Sequence, residues 1–303
     1  MAVPGSSSWV DEGARTNSYI PSLRERLLAP WRIVQSNTFA VIGFSIITAV
    51  MGIAVAGPWV APYGPYDLNL DSTSQPPSIR YLLGTDQFGQ DILSRVIYAG
   101  QIDLLIAVCA VAVSMVTGTL IGAIAGYIGG LADEAIMRLM DILQSFPRFI
   151  FAMGIAYAVG PGITTVIVAT SVLNVPAYGR LMRAMILSAK QSQYAMAARG
   201  SGLGHWSILV RHLAPNCMAP IFVQSTLHLG WAILEGAGLS FIGLGVEPGK
   251  AEWGVMVALG LQEFLQGHWW IYFFPGMAIA ITVLGFNLIG DGLQEILDPR
   301  RKT

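Results

Sequence analysis

Residues 102–126 read IDLLIAVCAVAVSMVTGTLIGAIAG, and beyond Asp103 they carry no charged side chain. At about 1.5 Å per residue the run is longer than a hydrocarbon core of about 30 Å, and a backbone immersed in lipid must satisfy its own hydrogen bonds. The stretch therefore predicts a membrane-spanning helix. Gly118, Gly122 and Gly126 recur at every fourth position, which places three small residues on one face of that helix. Such a face suits close approach of a second helix, in this chain or in another subunit, although glycine is also simply frequent in membrane helices.

The rest of the chain follows the same pattern. Of its 303 residues 54% are hydrophobic and only 12% charged, and the mean hydropathy is +0.59. That is too apolar for soluble domains of this length and points to an all-α polytopic membrane protein. Five further runs have spanning length, at 38–57, 136–160, 163–183, 217–241 and 270–290, giving six predicted helices. The run at 38–57 follows Arg24, Arg26 and Arg32 and ends in Ala54-Val55-Ala56, like a secretory leader. Its length of about 20 residues exceeds a leader's apolar region of about 7 to 15, so it is read as a retained first span. The run at 136–160 is the least regular, with Arg138, Asp141 and Arg148 in its first half and Pro147 within it. Arg138 and Asp141, three apart, are expected to pair at a membrane boundary.

Placement of basic residues sets the expected orientation. With residues 1–37 in the cytoplasm, Arg15, Arg24, Arg26, Arg32, Arg138, Arg180, Arg183, Lys190, Arg199, Arg211, Arg300, Arg301 and Lys302 fall inside, and Arg80, Arg95 and Lys250 outside, with Arg148 unassigned. Both termini are then cytoplasmic. The predicted order is a cytoplasmic tail (1–37), a first span (38–57), an extracytoplasmic segment (58–100) and a core of five spans (101–303). That core contains a cytoplasmic loop at 188–216, an extracytoplasmic loop at 243–269 and a cytoplasmic tail at 291–303. In the loop at 243–269, Trp253, Trp269 and Trp270 suit interfacial anchoring, and Glu247, Glu252 and Glu263 read most simply as a solvated face, with contact to a delivery protein as the alternative.

The 188–216 loop is polar and rich in small residues. From Ser188 to Arg199 it favours helix, and Gly200, Gly202 and Gly204 end that helix. Trp206, Leu209, Val210 and Leu213 then form one apolar stripe, opposite His205, Ser207, Arg211 and His212, before Pro215 closes the element. Helices this short are marginal in water and need a cover. From the residues alone the cover is either this chain's own helix ends, lipid headgroups, or a groove on a separate protein.

Ala197, Ala198, Gly202 and Pro215 match the spacing of the E-A-A-x-x-x-G signature of bacterial ABC importer membrane subunits, with Met196 standing where many members carry Glu. Tyr194 to Asn216 as a whole resembles the dipeptide, oligopeptide and nickel permease family. So do LGTDQFGQDILSRVIYAG (83–100), Asp141 with SFP (145–147), LSFIGLG (239–245), EWG (252–254) and GDGLQEILDPR (290–300). The stretch at 83–100 is similar to the C-type member of the paired permeases. The resemblance implies a type I ABC importer permease fold in the bacterial inner membrane and a heterodimer with a B-type subunit. It also implies two cytoplasmic ATPases, a binding protein outside, and di- or oligopeptides as cargo, with nickel or another small solute as the alternative. It further implies that the loop couples to the ATPases through Ala197, Ala198, Arg199, Gly202, Arg211, His212 and Pro215.

Chemistry within the chain itself is not expected. The Gly249-Lys250 pair has Leu244 and Ala251 where a phosphate loop needs Gly and Ser or Thr, so ATP and magnesium belong to the partner ATPases. The histidines 205, 212, 228 and 268 lack metal-ligand spacing. A serine hydrolase built on Ser240 with His228 or His268 fails the nucleophile-elbow pattern at Ile242. Cys109 and Cys217, far apart, read as free thiols. An ion-coupled transporter would want acids deep in several spans. Glu235 is the exception, in the outer part of the fifth span, and it joins His228, Asn174 and Asn287 as a candidate for the translocation pathway. There it either meets a peptide's ammonium group or reaches water near the interface.

Overall fold

The computed structural model describes residues 37–297, and among them it is helical with no strand. Most of the tail 1–37 and the end of the 291–303 tail, with their basic residues, lie outside the described residues. Helix α1 (Thr38–Val60) starts where Asn37 accepts from the Phe39 and Ala40 amides, and α2 (Ile92–Ile128) where Asp91 accepts from the Ser94 amide. These caps satisfy amides that a helix start otherwise leaves bare. Helices α3 (Gly130–Ser145), α4 (Arg148–Val159), α5 (Ile163–Ala189), α6 (Gln193–Gly200), α7 (Met218–Phe241), α8 (Trp253–Gln262) and α9 (Trp270–Leu297) follow.

Among the described residues four helical runs are long and apolar enough to cross a membrane: α1, α2, His205–Phe241 and Trp270–Glu295. A fifth is available if α3 and α4 form one broken crossing. The expected span at 136–160, least regular in sequence, carries this break at its proline. Pro147 cannot continue a helix and disfavours helical geometry at Phe146, so α4 leaves α3 at 93°. The expected span at 163–183 is present as α5, but it is too polar to stand among the apolar runs. Its cations are held by α3. Arg183 grips Asp133 with both carboxylate oxygens, at 2.5 and 2.6 Å, and Arg180 pairs with Asp141 at 3.3 Å and with Gln144. The expected Arg138–Asp141 pair does not form, because Arg138 turns one helical turn back to Glu134 at 3.8 Å.

The most extensive helix–helix contact joins α2 to α5. A methyl group at Gly118 would lie 2.6 Å from the Val175 carbonyl, and one at Gly126 2.9 Å from that of Arg183; at Gly122 it would overlap the Gly179 carbonyl. The three glycines thus face α5 at backbone-to-backbone range. The seam of α1 with α9 is built the same way, where Gly43 leaves no room for a side chain against Gly285 and Ile289.

The connection between α1 and α2 folds on itself. Asp86 accepts from the amides of Phe88 and Gln90, both at 2.9 Å, and Thr85 donates to the Ser72 carbonyl at 2.5 Å. Arg95, only 1% exposed, donates to the Pro65 carbonyl at 3.1 Å, to Gln90, and to the Lys250 carbonyl at 3.3 Å in the α7–α8 connection. Burial pushes the Asp86 carboxyl up, against the pull of those amides and of Arg95.

In the α7–α8 connection and the turn after α8, the expected solvated face of acids holds at Glu247, which is exposed, and is corrected at Glu252. Glu252 is 1% exposed and caps α8 by accepting from the Val255 amide at 2.7 Å, while Trp253 is buried beside it and donates from its ring to the Val96 carbonyl at 3.0 Å. Trp270 is likewise buried and bonded to the Thr85 carbonyl at 3.1 Å, which leaves Trp269 exposed. Glu263 pairs with His268 at 3.1 Å.

Candidate functional site

Two regions concentrate the polar residues singled out by the sequence. The first is the cassette between α5 and α7. The helix expected from Ser188 to Arg199 is broken: α5 ends at Ala189, a turn follows, and Ser192 restarts the chain as the cap of α6. Ala195 and Ala198 point inward and are buried, whereas Ala197, Arg199, Gly202, Arg211 and Pro215 are exposed and His212 is half-buried. Ala198 is therefore not part of the outward face. Gly202 sits at φ +76 with open space around its Cα, so its glycine is required by the backbone turn and not by any neighbour in this chain.

The expected apolar stripe from Trp206 to Leu213 is split by a π-helical turn over Ile208–Leu213, in which the Ala214 amide reaches back five residues to Leu209 at 2.8 Å. The extra residue rotates the face. Ile208, Leu209 and Leu213 are buried, while Trp206 is 66% exposed and Val210 also stands out. The cassette is anchored to the end of α2: Tyr127 meets His205 at 3.0 Å, Lys190 donates to the Tyr127 carbonyl at 2.5 Å, and Arg199 donates to the Lys190 carbonyl at 2.9 Å. Between them lies a groove of about 590 Å³, floored by Ile124, Ile128 and Leu209 and edged by Lys190, Arg199 and Trp206.

The second region lies where α4, α5 and α7 meet. The 93° elbow delivers Arg148, the first residue of α4, to α7, where its Nη2 and Nε both donate to one oxygen of Glu235, at 2.5 and 3.1 Å. Nη2 also donates to the Asn174 side-chain carbonyl at 3.0 Å. Two turns back along α7, His228 packs edge-on against Tyr178 of α5, with centroids 4.9 Å apart, and its Nε2 meets Gln224 at 2.9 Å. The Tyr178 hydroxyl donates to Ser225 at 3.1 Å. Asn287 lies apart, half-buried on α9 against Gly230. Glu235, Asn174 and His228 thus form one polar strip, and Asn287 does not join it. Sequence reasoning missed Arg148, although an arginine directly after a proline inside an apolar run is a signal that a bend brings it to a partner.

Residues 118–303 match the binding-protein-dependent transport system inner membrane component family, and residues 29–77 match the N-terminal transmembrane domain of oligopeptide transport permease C. The chain belongs to the family of binding-protein-dependent transport system inner membrane components. It is 38% identical to a dipeptide transport system permease protein DppC of Alkalihalophilus pseudofirmus, over 95% of both chains. It is 39% identical to a di/tripeptide transport system permease protein DppC of Pseudomonas aeruginosa, over 90% of this chain and 92% of the relative. Identity to a probable D,D-dipeptide transport system permease protein DdpC of Escherichia coli is 37%, over 88% and 90%. As a member of this family the chain is a multi-pass inner membrane permease subunit, a transport component.

Proposed function

We propose that this chain is the C-type half of a heterodimeric pore through which an ATP-driven importer moves di- or oligopeptides. A B-type permease completes the pore, two ATPases bind the cassette at 188–216 from the cytoplasm, and a binding protein delivers cargo on the opposite side. Peptide is preferred over nickel because all three relatives are named for peptide cargo. The observation that carries coupling is the exposed apolar rim of the cassette, with Tyr194, Met196, Leu203, Trp206 and Val210 outward beside Arg199 and Arg211. Apolar side chains ringed by cations, on helices too short to stand alone, suit a protein groove better than water. ATP and magnesium belong to the ATPases, and closure of those subunits would move the cassette and switch the pore between its two openings.

In this reading α5 is the sixth crossing, with both termini inside. At 27 residues it extends about 40 Å, and its two arginines travel paired with α3. The test is reconstitution of the four-component complex in vesicles with its binding protein. ATP-dependent accumulation of a labelled dipeptide is expected, and a cysteine introduced as Arg199→Cys should react with an impermeant maleimide only from the ATPase side. Uptake without ATPases, or labelling from the binding-protein side, defeats the reading.

A further inference from the structure

The ion pair of Arg148 with Glu235 is incompletely made. Arginine usually meets a carboxylate as a fork, two N–H groups on two oxygens. Here both donors converge on one oxygen of Glu235, and the other, Oε2, is buried with no hydrogen-bond partner among the described residues. Arg148 uses Nε and Nη2 and makes no hydrogen bond through Nη1 among those residues. The two partners differ in access: the arginine side chain is 49% exposed and the glutamate 13%. Arg148 stands at the tip of α4, on the elbow, where a side chain can swing without disturbing a packed helix. Glu235 is fixed in α7, beside the buried Asn174.

A charge pair inside a membrane segment is retained where both charges remain compensated throughout the working cycle. A peptide with free ends is itself a zwitterion. We infer that Arg148 and Glu235 form an exchangeable pair that opens to receive both ends of the cargo, the ammonium group on Glu235 and the carboxylate on Arg148. One ion pair becomes two and no charge is left bare. Asn174, bonded to Arg148 in the closed pair, is a positioning residue that holds the guanidinium plane. Lysine would not substitute fully, since a point charge lacks the planar fork that matches a carboxylate.

This inference rests on the peptide-transport reading, and its test separates the two. The complete complex in vesicles is supplied with binding protein whose occupancy is measured directly, and uptake is expressed per ATP hydrolysed. The cargo is alanyl-alanine or its C-terminal amide. With alanyl-alanine the wild type should exceed the amide at least tenfold. The neutral double variant Arg148→Gln with Glu235→Gln, which leaves no unpaired charge, should assemble. It should lose at least tenfold with the free dipeptide and no longer distinguish the amide. A neutral pair that matches the wild type in rate and discrimination overturns the inference, as does a wild type indifferent to the amide. Should the neutral pair not assemble, Arg148→Lys decides: discrimination lost supports the exchange, and discrimination kept overturns it. A wild-type complex that moves no peptide at all overturns the transport reading instead.

Discussion

The α1–α2 connection and the cassette between α5 and α7 are both loops with glycine and polar residues, and they differ in how far their polar groups close on themselves. In the first, polar groups turn inward: Thr85, Asp86, Gln90, Asp91 and Arg95 are buried, and each has its partner within the chain. In the second, apolar groups turn outward, with Trp206, Met196 and Val210 exposed and little of this chain left to cover them. A loop that closes most of its buried polar groups on itself, Gln87 Oε1 excepted, behaves as part of the fold. Both loops leave apolar side chains in the open, Leu70 and Ile79 in the first as Trp206 and Met196 in the second, so what separates them is where hydrogen bonds close and not composition.

A matched pair of glycines breaks or sharpens that contrast most strongly. Gly89 and Gly202 share nearly the same left-handed backbone, φ +72 and +76. A methyl group at Gly89 would overlap the Asn69 carbonyl, whereas nothing lies within 4 Å of one at Gly202. Gly89→Ala is expected to lower stability by about 3 kcal/mol, strain plus overlap, measured as thermal unfolding in detergent. Gly202→Ala should lower it by only about 1 kcal/mol, from strain alone. Equal losses would mean that the first loop is no more tightly built than the cassette.

Gly204 gives the next effect in size, and it separates docking from folding. It has an ordinary φ of −64 and open surroundings, so Gly204→Trp should leave the isolated chain as stable as before. Against a close-fitting partner the same side chain costs about 1 to 3 kcal/mol, or about 5- to 150-fold in ATPase affinity. Pull-down of the ATPases by the purified permease measures it. Unchanged affinity removes the cassette from the interface.

The smallest effect concerns Glu252. Burial holds its carboxyl above the ordinary glutamate range, so the folded state keeps this proton more tightly than the unfolded one does. The contribution to stability is full at low pH and is lost as pH rises through the raised value. Glu252→Gln still accepts from Val255 and should change stability at acid pH by about 0.5 kcal/mol or less. It should also flatten the decline toward neutral pH in a series of thermal melts, and an unchanged slope would assign that decline to other groups.

Much of this was legible before any coordinates. Periods of four located the glycine face of α2, and long uncharged runs located the membrane helices, because lipid imposes one length and one backbone solution. Pairing was not legible where it depends on three dimensions. Arg138 and Asp141 are close in sequence, yet each found a better partner, and Glu252 reads as solvated until α2 and α7 bring Asp103 and Ser240 against it. The π-helical turn defeated the stripe at Trp206, since one extra residue in a turn changes which side chains face inward while leaving the composition untouched.

From His205 to Phe241 the chain runs for 37 residues as one continuous helical stretch, passing through a π turn at Ile208–Leu213 and a 3-10 turn at Pro215–Cys217, and Glu235 lies about 45 Å along it from the cassette end. Torque applied to the tryptophan end has little intervening slack in which to dissipate, apart from the widened turn at Ile208–Leu213 and the tightened one at Pro215–Cys217. Twisting by even a few degrees would sweep the glutamate sideways past a guanidinium borne on a different helix. The same shaft thus carries a crank at one end and a latch near the other.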